Sequence, residues 1–205
     1  MRRGLALALG AALLALVPST ALAARGVTFG STLSKPPTDY DPAATCDTTG
    51  TNADTGACTR VAIRFDGTGA VKGRVRAPRK GVIRRIRIRA AAPAVVRFKL
   101  ARVQRLDYDE VEGDAKSPSR GRLLHLKGRG LAAKGAIESF KVKLRVKKGD
   151  YLALQSSTLT AMTCRPVPDF QQLLFQPVLD PGGPFQSSAG HDDCTLLVQA
   201  TIKRR

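Results

Sequence analysis

The chain has 205 residues, with 34 Lys and Arg against 16 Asp and Glu and a formal net charge of +18. That length suffices for one domain that buries most of its apolar surface without a metal or cofactor. With no Trp, three Tyr and seven Phe, it lacks the aromatic interleaving that single-stranded nucleic-acid binders stack bases on.

Arg2 and Arg3 precede an uncharged run from Gly4 to Val17, Pro18 breaks it, and Ala21-Leu22-Ala23 offers small residues for cleavage. This order predicts a secretory signal over residues 1–23, removed after Ala23. The run is shorter than the roughly 18 to 20 apolar residues that span a bilayer, and no Cys follows it to carry a lipid. The expected product is secreted, extracellular and in contact with the cell wall, with no transmembrane segment once the signal is gone.

Residues 24–59 form a polar, Pro-containing leader, expected to pack on or precede the domain proper, residues 60–205. All four cysteines, Cys46, Cys58, Cys164 and Cys194, follow the signal. In an oxidising compartment an even count reads as a disulfide set with three possible connectivities. Cys46 and Cys58 bracket a Thr-, Asn-, Asp- and Gly-rich stretch, and Cys164 and Cys194 bracket a loop rich in Pro and Gly, which favours local pairing within each bracket. No C-x-x-C pair exists and only two histidines are present, which argues against zinc.

From Arg60 onward the apolar pattern has period two. Val61 and Ile63 alternate with Arg60 and Arg64. Ile86, Ile88 and Ala90 alternate with Arg85, Arg87 and Arg89, and Val96, Phe98 and Leu100 with Arg97 and Lys99. Phe140, Val142, Leu144 and Val146 alternate with Lys141, Lys143, Arg145 and Lys147, and Leu196, Val198, Ala200 and Ile202 with Leu197, Gln199, Thr201 and Lys203. Each run buries one face and wets the other, as antiparallel strands over a core do. Turn residues separate them, at Asp66-Gly67, Pro78 to Gly81, Gly128 to Gly135, Lys148-Gly149-Asp150 and Pro181 to Pro184. Roughly seven to ten short strands predict an all-β antiparallel β-sandwich of jelly-roll type with two disulfides.

Two clusters carry oxygen ligands. Asp107, Asp109, Glu110, Glu112 and Asp114 could attract calcium, but Val111 stands where an EF-hand needs a ligand and Gly113 comes one residue late. A solvated hairpin tip is the simpler expectation. His191-Asp192-Asp193 could form a metal corner or acid–base pair, but reads more simply as a polar loop end. No serine sits in a G-x-S-x-G elbow. No catalytic residue, metal site or cofactor is therefore expected.

Several strings occur together in order: Thr28 to Leu33, Ala57-Cys58-Thr59, Ala77 to Arg84, Val146 to Leu152, Phe175 to Leu179, Gly182-Gly183-Pro184 and Leu196 to Ala200. In this order the chain resembles a set of uncharacterised secreted β-sandwich proteins of high-GC Gram-positive (actinobacterial) soil bacteria. Many members of that set continue into an acidic repeat of calcium-binding type, where this chain reads Lys203-Arg204-Arg205. The resemblance implies the fold and export, and supplies no activity.

The basic comb carries the functional expectation. Alternation puts Arg85, Arg87 and Arg89 on one side of their strand, Lys141, Lys143, Arg145 and Lys147 on one side of theirs, and Arg97 with Lys99 likewise. If such strands are neighbours, they form a cationic plate that binds polyanions in a salt-dependent way. The bland alternative is a solvated face whose cations stop edges from aggregating. The expected function is an exported non-catalytic module for an anionic surface polymer: a cell-wall polymer, an acidic polysaccharide or anionic headgroups. A structural or protein-interaction domain of the cell envelope is the alternative. A carbohydrate-active enzyme using Asp169, Asp192 or Asp193 has the least support, and export disfavours nucleic acid.

Overall fold

The computed structural model describes residues 26–37, 57–65, 74–128, 135–156, 164–166 and 171–203. The expected signal, Cys46, Asp169, Arg204 and Arg205 lie outside them, as does the side chain of Cys164. In chain order the strands are β1 (Val27–Gly30), β2 (Cys58–Ala62), β3 (Gly81–Ala90), β4 (Ala94–Asp107), β5 (Glu112–Lys116), β6 (Arg122–Leu126) and β7 (Ala136–Val146). They continue as β8 (Tyr151–Ser156), β9 (Cys164–Pro166), β10 (Gln172–Phe175), β11 (Gln186–Ser187), β12 (Gly190–Asp192), β13 (Cys194–Leu196) and β14 (Val198–Lys203). The described residues contain no helix, and every strand pair is antiparallel. The all-β expectation holds.

A four-stranded sheet runs β1-β14-β3-β7, and an eight-stranded sheet runs β11-β5-β4-β8-β2-β10-β12 with β6 also on β4. Small β9 and β13 form a separate pair. Ile83, Ile86 and Ile88 of β3, Val142, Leu144 and Val146 of β7, and Val198, Ala200 and Ile202 of β14 all project to the same side. There they meet Val96, Phe98 and Leu100 of β4 and Leu152 and Leu154 of β8 in one buried cluster. The period-two runs thus do what amphipathic strands must, each hiding its apolar face against the other sheet.

The larger sheet has a second buried face. Val61, Ala101, Tyr151, Ala153, Leu173 and Phe175 form another cluster there, closed by Val111 and Leu179. Strict alternation therefore fails wherever a strand is covered on both sides. Every residue of β2 is buried, Arg60 included, because both its faces are covered, with Ala62 in the first cluster and Val61 in the second. Arg60, expected on a wet face, is instead 1% exposed and pairs with Asp192. Nor does the sheet framework begin at residue 60. Val27–Gly30, in the segment read as a leader, is the outer strand beside β14, with Phe29 fully buried.

The acidic cluster is the β4–β5 hairpin tip. Asp107 Oδ1 accepts hydrogen bonds from the backbone N–H groups of Asp109 (2.8 Å) and Glu110 (3.2 Å), the side-chain turn that Asp commonly builds. Asp114 Oδ1 accepts from Ser187 Oγ at 2.8 Å. Cys58 and Cys194 are both fully buried, and no cysteine among the described residues is free. Cys46 and the side chain of Cys164, the other partners of the expected bridges, lie outside what the structure describes.

Candidate functional site: a cationic face and groove

Strands β3 and β7 are neighbours, so their combs share one surface. Arg85 stands directly opposite Lys141, Arg87 opposite Ser139, and Val82 opposite Arg145. On the other side, Arg85 faces Thr201, Arg87 faces Gln199, and Val82 faces Lys203. The register shifts at Arg84, and Arg84 and Arg85 are both exposed. An extra residue at a bulge turns two successive side chains outward, which adds a cation the alternation alone would have buried. Lys141, Lys143 and Arg145 are exposed, whereas Arg87 and Arg89 are half-buried.

No carboxylate interrupts this face among the described residues. Glu138 is the one acid on β7, but it pairs with Ile88, which faces the core. Its carboxylate accepts from the backbone N–H of Lys127 and Gly128 at 2.9 Å, so it closes the end of β6 and leaves the cations uncompensated. Arg87 Nη1 donates to Gln199 Oε1 at 3.3 Å, and Gln199 Nε2 donates to Ser31 O at 3.0 Å. This chain of contacts fixes Arg87 across three strands.

Arg97 and Lys99 are the correction. They lie on β4 in the other sheet, opposite Leu123 and Gln155 for Arg97 and Ala153 for Lys99, and so cannot join the plate. Lys99 is 2% exposed and donates from Nζ to the backbone oxygen of Leu179 at 2.5 Å. Burial, with Arg97 adding to it and Asp180 opposing it, pushes the Lys99 amine below its usual pKa. Its side of β4 is covered rather than wet, which the alternation could not reveal.

At one end of the plate the face turns into an open groove of about 890 Å³. Arg79 and Lys80 come from the turn before β3. Lys143, Arg145 and Lys147 come from the end of β7, Arg102 from β4 and Lys203 from β14, with Pro118 and Ser119 along the wall. Seven basic side chains line it and no carboxylate does. Lys147, expected to continue the β7 comb, is one of them, exposed just past the strand end.

Asp150 organises the rim. It is 2% exposed, accepts Lys147 N at 2.7 Å on Oδ2, and contacts Arg102 Nε at 3.3 Å through Oδ1. Its backbone oxygen accepts from Ala77 N at 2.8 Å, and Gly149 N donates to Ala77 O at 2.9 Å. The turns carrying Arg79 and Lys147 are therefore tied to each other. Gly149 takes φ +89°, a conformation glycine adopts without strain.

Arg79, Lys80, Arg84 and Arg102 fall outside the combs that alternation marks, and Lys203 ends the alternating run of β14. The Arg84-Arg85 doublet was a readable sign of a bulge, and the cations in the Pro78–Gly81 turn adjoined the comb. Arg102 carries no such signal. The His191 region is structural: Asp192 Oδ1 accepts Cys194 N at 3.0 Å and Oδ2 accepts from Arg60. Burial, a hydrogen bond that the protonated Asp193 carboxyl donates to the Asp192 carboxylate, and the charge of that carboxylate raise Asp193 above its ordinary pKa.

No protein-family model matches the chain, and neither does any curated protein or solved structure.

Proposed function

We propose that this protein is an exported, non-catalytic binding module that holds an anionic surface polymer on the outer face of β14, β3 and β7. The observation that carries the reading is the direct opposition of Arg85 and Lys141 on a face without an acid. Like charges placed directly across a sheet are destabilising, by a few tenths to about 1 kcal/mol. A surface needed only for solubility intersperses both signs. A face that tolerates such pairing and turns its one nearby carboxylate inward is suited to a partner that neutralises it. The face carries no aromatic side chain to stack bases, since Phe140 is packed against the core.

Three further parts belong to the same reading. The first is a jelly roll, favoured by the order β1-β14-β3-β7 facing β6-β4-β8-β2, in which each sheet draws strands alternately from both halves of the chain. The second is a pair of bridges, Cys46–Cys58 and Cys164–Cys194, supported by the complete burial of Cys58 and Cys194 and by neither of them being a free thiol. Peptide mapping without reductant should recover those two linked pairs; a Cys58–Cys194 peptide would refute the assignment. The third is export through residues 1–23, which keeps the resemblance to secreted actinobacterial proteins in place.

The function is tested by binding to polyglutamate, polygalacturonate, a glycerol-phosphate polymer and neutral dextran across a salt series. Anionic polymers should bind and dextran should not, with log affinity falling linearly against log salt. Arg85→Gln should lower that slope by about one, while Lys99→Met, buried on the other sheet, should leave it unchanged. Binding that ignores salt, or that includes dextran equally, would overturn the proposal.

A further inference from the structure

The face explains attraction to any polyanion, and the groove at its end is more particular. We infer that the groove is a phosphate-reading site, and that the polymer this protein holds carries phosphate monoester groups rather than carboxylates alone. The inference rests on the binding reading above and narrows its ligand.

Three observations lead there. First, seven cations from four separate parts of the chain converge on about 890 Å³ with no carboxylate lining it. A carboxylate offers one charge and two oxygens to such a cluster. A phosphate monoester offers three acceptor oxygens on one centre and up to two charges, so several cations can engage the same group. Second, Arg79 Nε and Nη2 are shielded from solvent and meet no hydrogen-bond acceptor among the described residues. These two atoms form the side edge of the guanidinium, the fork that binds two oxygens of one oxyanion in parallel. A covered guanidinium edge without an acceptor is costly, and an oxyanion bound in the groove that Arg79 lines would supply the acceptors it lacks. Third, the rim is built before any ligand arrives. Asp150 holds Lys147 through its backbone and Arg102 through Nε, and the Ala77 and Gly149 bonds fix the Arg79 turn to the Lys147 turn. Preorganised donors lose less on binding than mobile ones.

The groove opens onto the plate through Lys143, Arg145 and Lys203, which also line it. A chain lying along β3 and β7 can therefore place one of its phosphates in the groove while the next ones run over Lys141 and Arg85. The two surfaces act as a general attractor and a specific reader.

Inorganic tripolyphosphate is the probe, compared with citrate at equal ionic strength by titration calorimetry on the mature chain. Tripolyphosphate should bind at least about tenfold more tightly than citrate. Arg79→Gln and, separately, the exposed Lys147→Gln should each weaken tripolyphosphate about tenfold, the size expected when one charge-assisted hydrogen bond is lost. Arg79→Lys keeps the charge and loses the fork, and should bind more weakly than the wild type. Arg85→Gln on the plate should leave tripolyphosphate binding within about twofold of the wild type while it weakens the polymer. Equal affinity for citrate, or wild-type affinity in both Arg79→Lys and Lys147→Gln, would overturn the phosphate reading and leave the polymer reading standing. Tripolyphosphate binding without any polymer binding would do the reverse.

Discussion

Lys141→Glu should weaken polymer binding between about tenfold and a hundredfold and at the same time make the fold more stable. The two effects share one cause. Lys141 lies directly across from Arg85, and glutamate there replaces a repulsive cross-strand pair with an attractive one. Such a change is worth roughly 0.2 to 1 kcal/mol in the favourable direction, a rise in Tm of about 1 to 4 °C for a chain of this size. On the binding side, the same substitution removes one cation and adds one anion in the middle of the face, so the salt slope should fall by about two. Thermal unfolding and a salt-series binding assay on one preparation measure both. If the charges served solubility or edge protection alone, the variant would gain stability and lose nothing. A variant that loses stability and keeps its binding would contradict the geometry of the face.

Asp192→Ala should be the most damaging single substitution for stability, costing about 3 kcal/mol or more. Arg60 is 1% exposed in the central strand β2, and its Nη1 donates to Asp192 Oδ2. Asp192 also receives Cys194 N on its other oxygen at 3.0 Å. Deleting the carboxylate leaves a guanidinium charge buried between two neighbouring strands without its acid, and frees a backbone donor beside a buried cysteine. Chemical denaturation should show the midpoint moving down with little change in slope. The double variant Arg60→Met with Asp192→Leu should recover much of the loss, because apolar replacement of a buried ion pair is often close to neutral. A loss under about 1 kcal/mol for Asp192→Ala would mean that the pair is solvated and that β2 is less enclosed than described. Neither variant touches the face, so polymer binding by the folded fraction should persist.

The parts of the fold that could be read from the chain are those with one wet side. In β7 the alternation of Phe140, Val142, Leu144 and Val146 with Lys141, Lys143 and Arg145 translates directly into a core face and a solvent face, and β3 does the same apart from its bulge. The pattern misled where burial is two-sided. Arg60 and Lys99 sit at polar positions of alternating runs, yet both are buried, and a local pattern carries no information about a second layer. Arg60 finds its acid 132 residues away. The plate was legible as two combs but not as one surface, since only the pairing of β3 with β7 joins them. The groove was less legible still. Its cations come from the starts and ends of strands that meet through register, as Lys203 meets Val82 and Val82 meets Arg145. The acidic hairpin was read correctly as a turn, because Asp at the start of a turn bonds its own backbone whatever the tertiary context.

The position of β1 has a mechanical consequence. Val27 lies opposite Ile202 and Gly30 opposite Gln199, so residues 26 and 203 leave the sheet side by side. Tension between those two points would load the ladder one hydrogen bond at a time, because antiparallel bonds run perpendicular to the strands. A four-residue strand would peel from its edge in that geometry, while β3 in the interior and β7 at the opposite edge kept their register. Pulled between residues 26 and 203, the sheet would yield first at β1, before the strands that carry the comb.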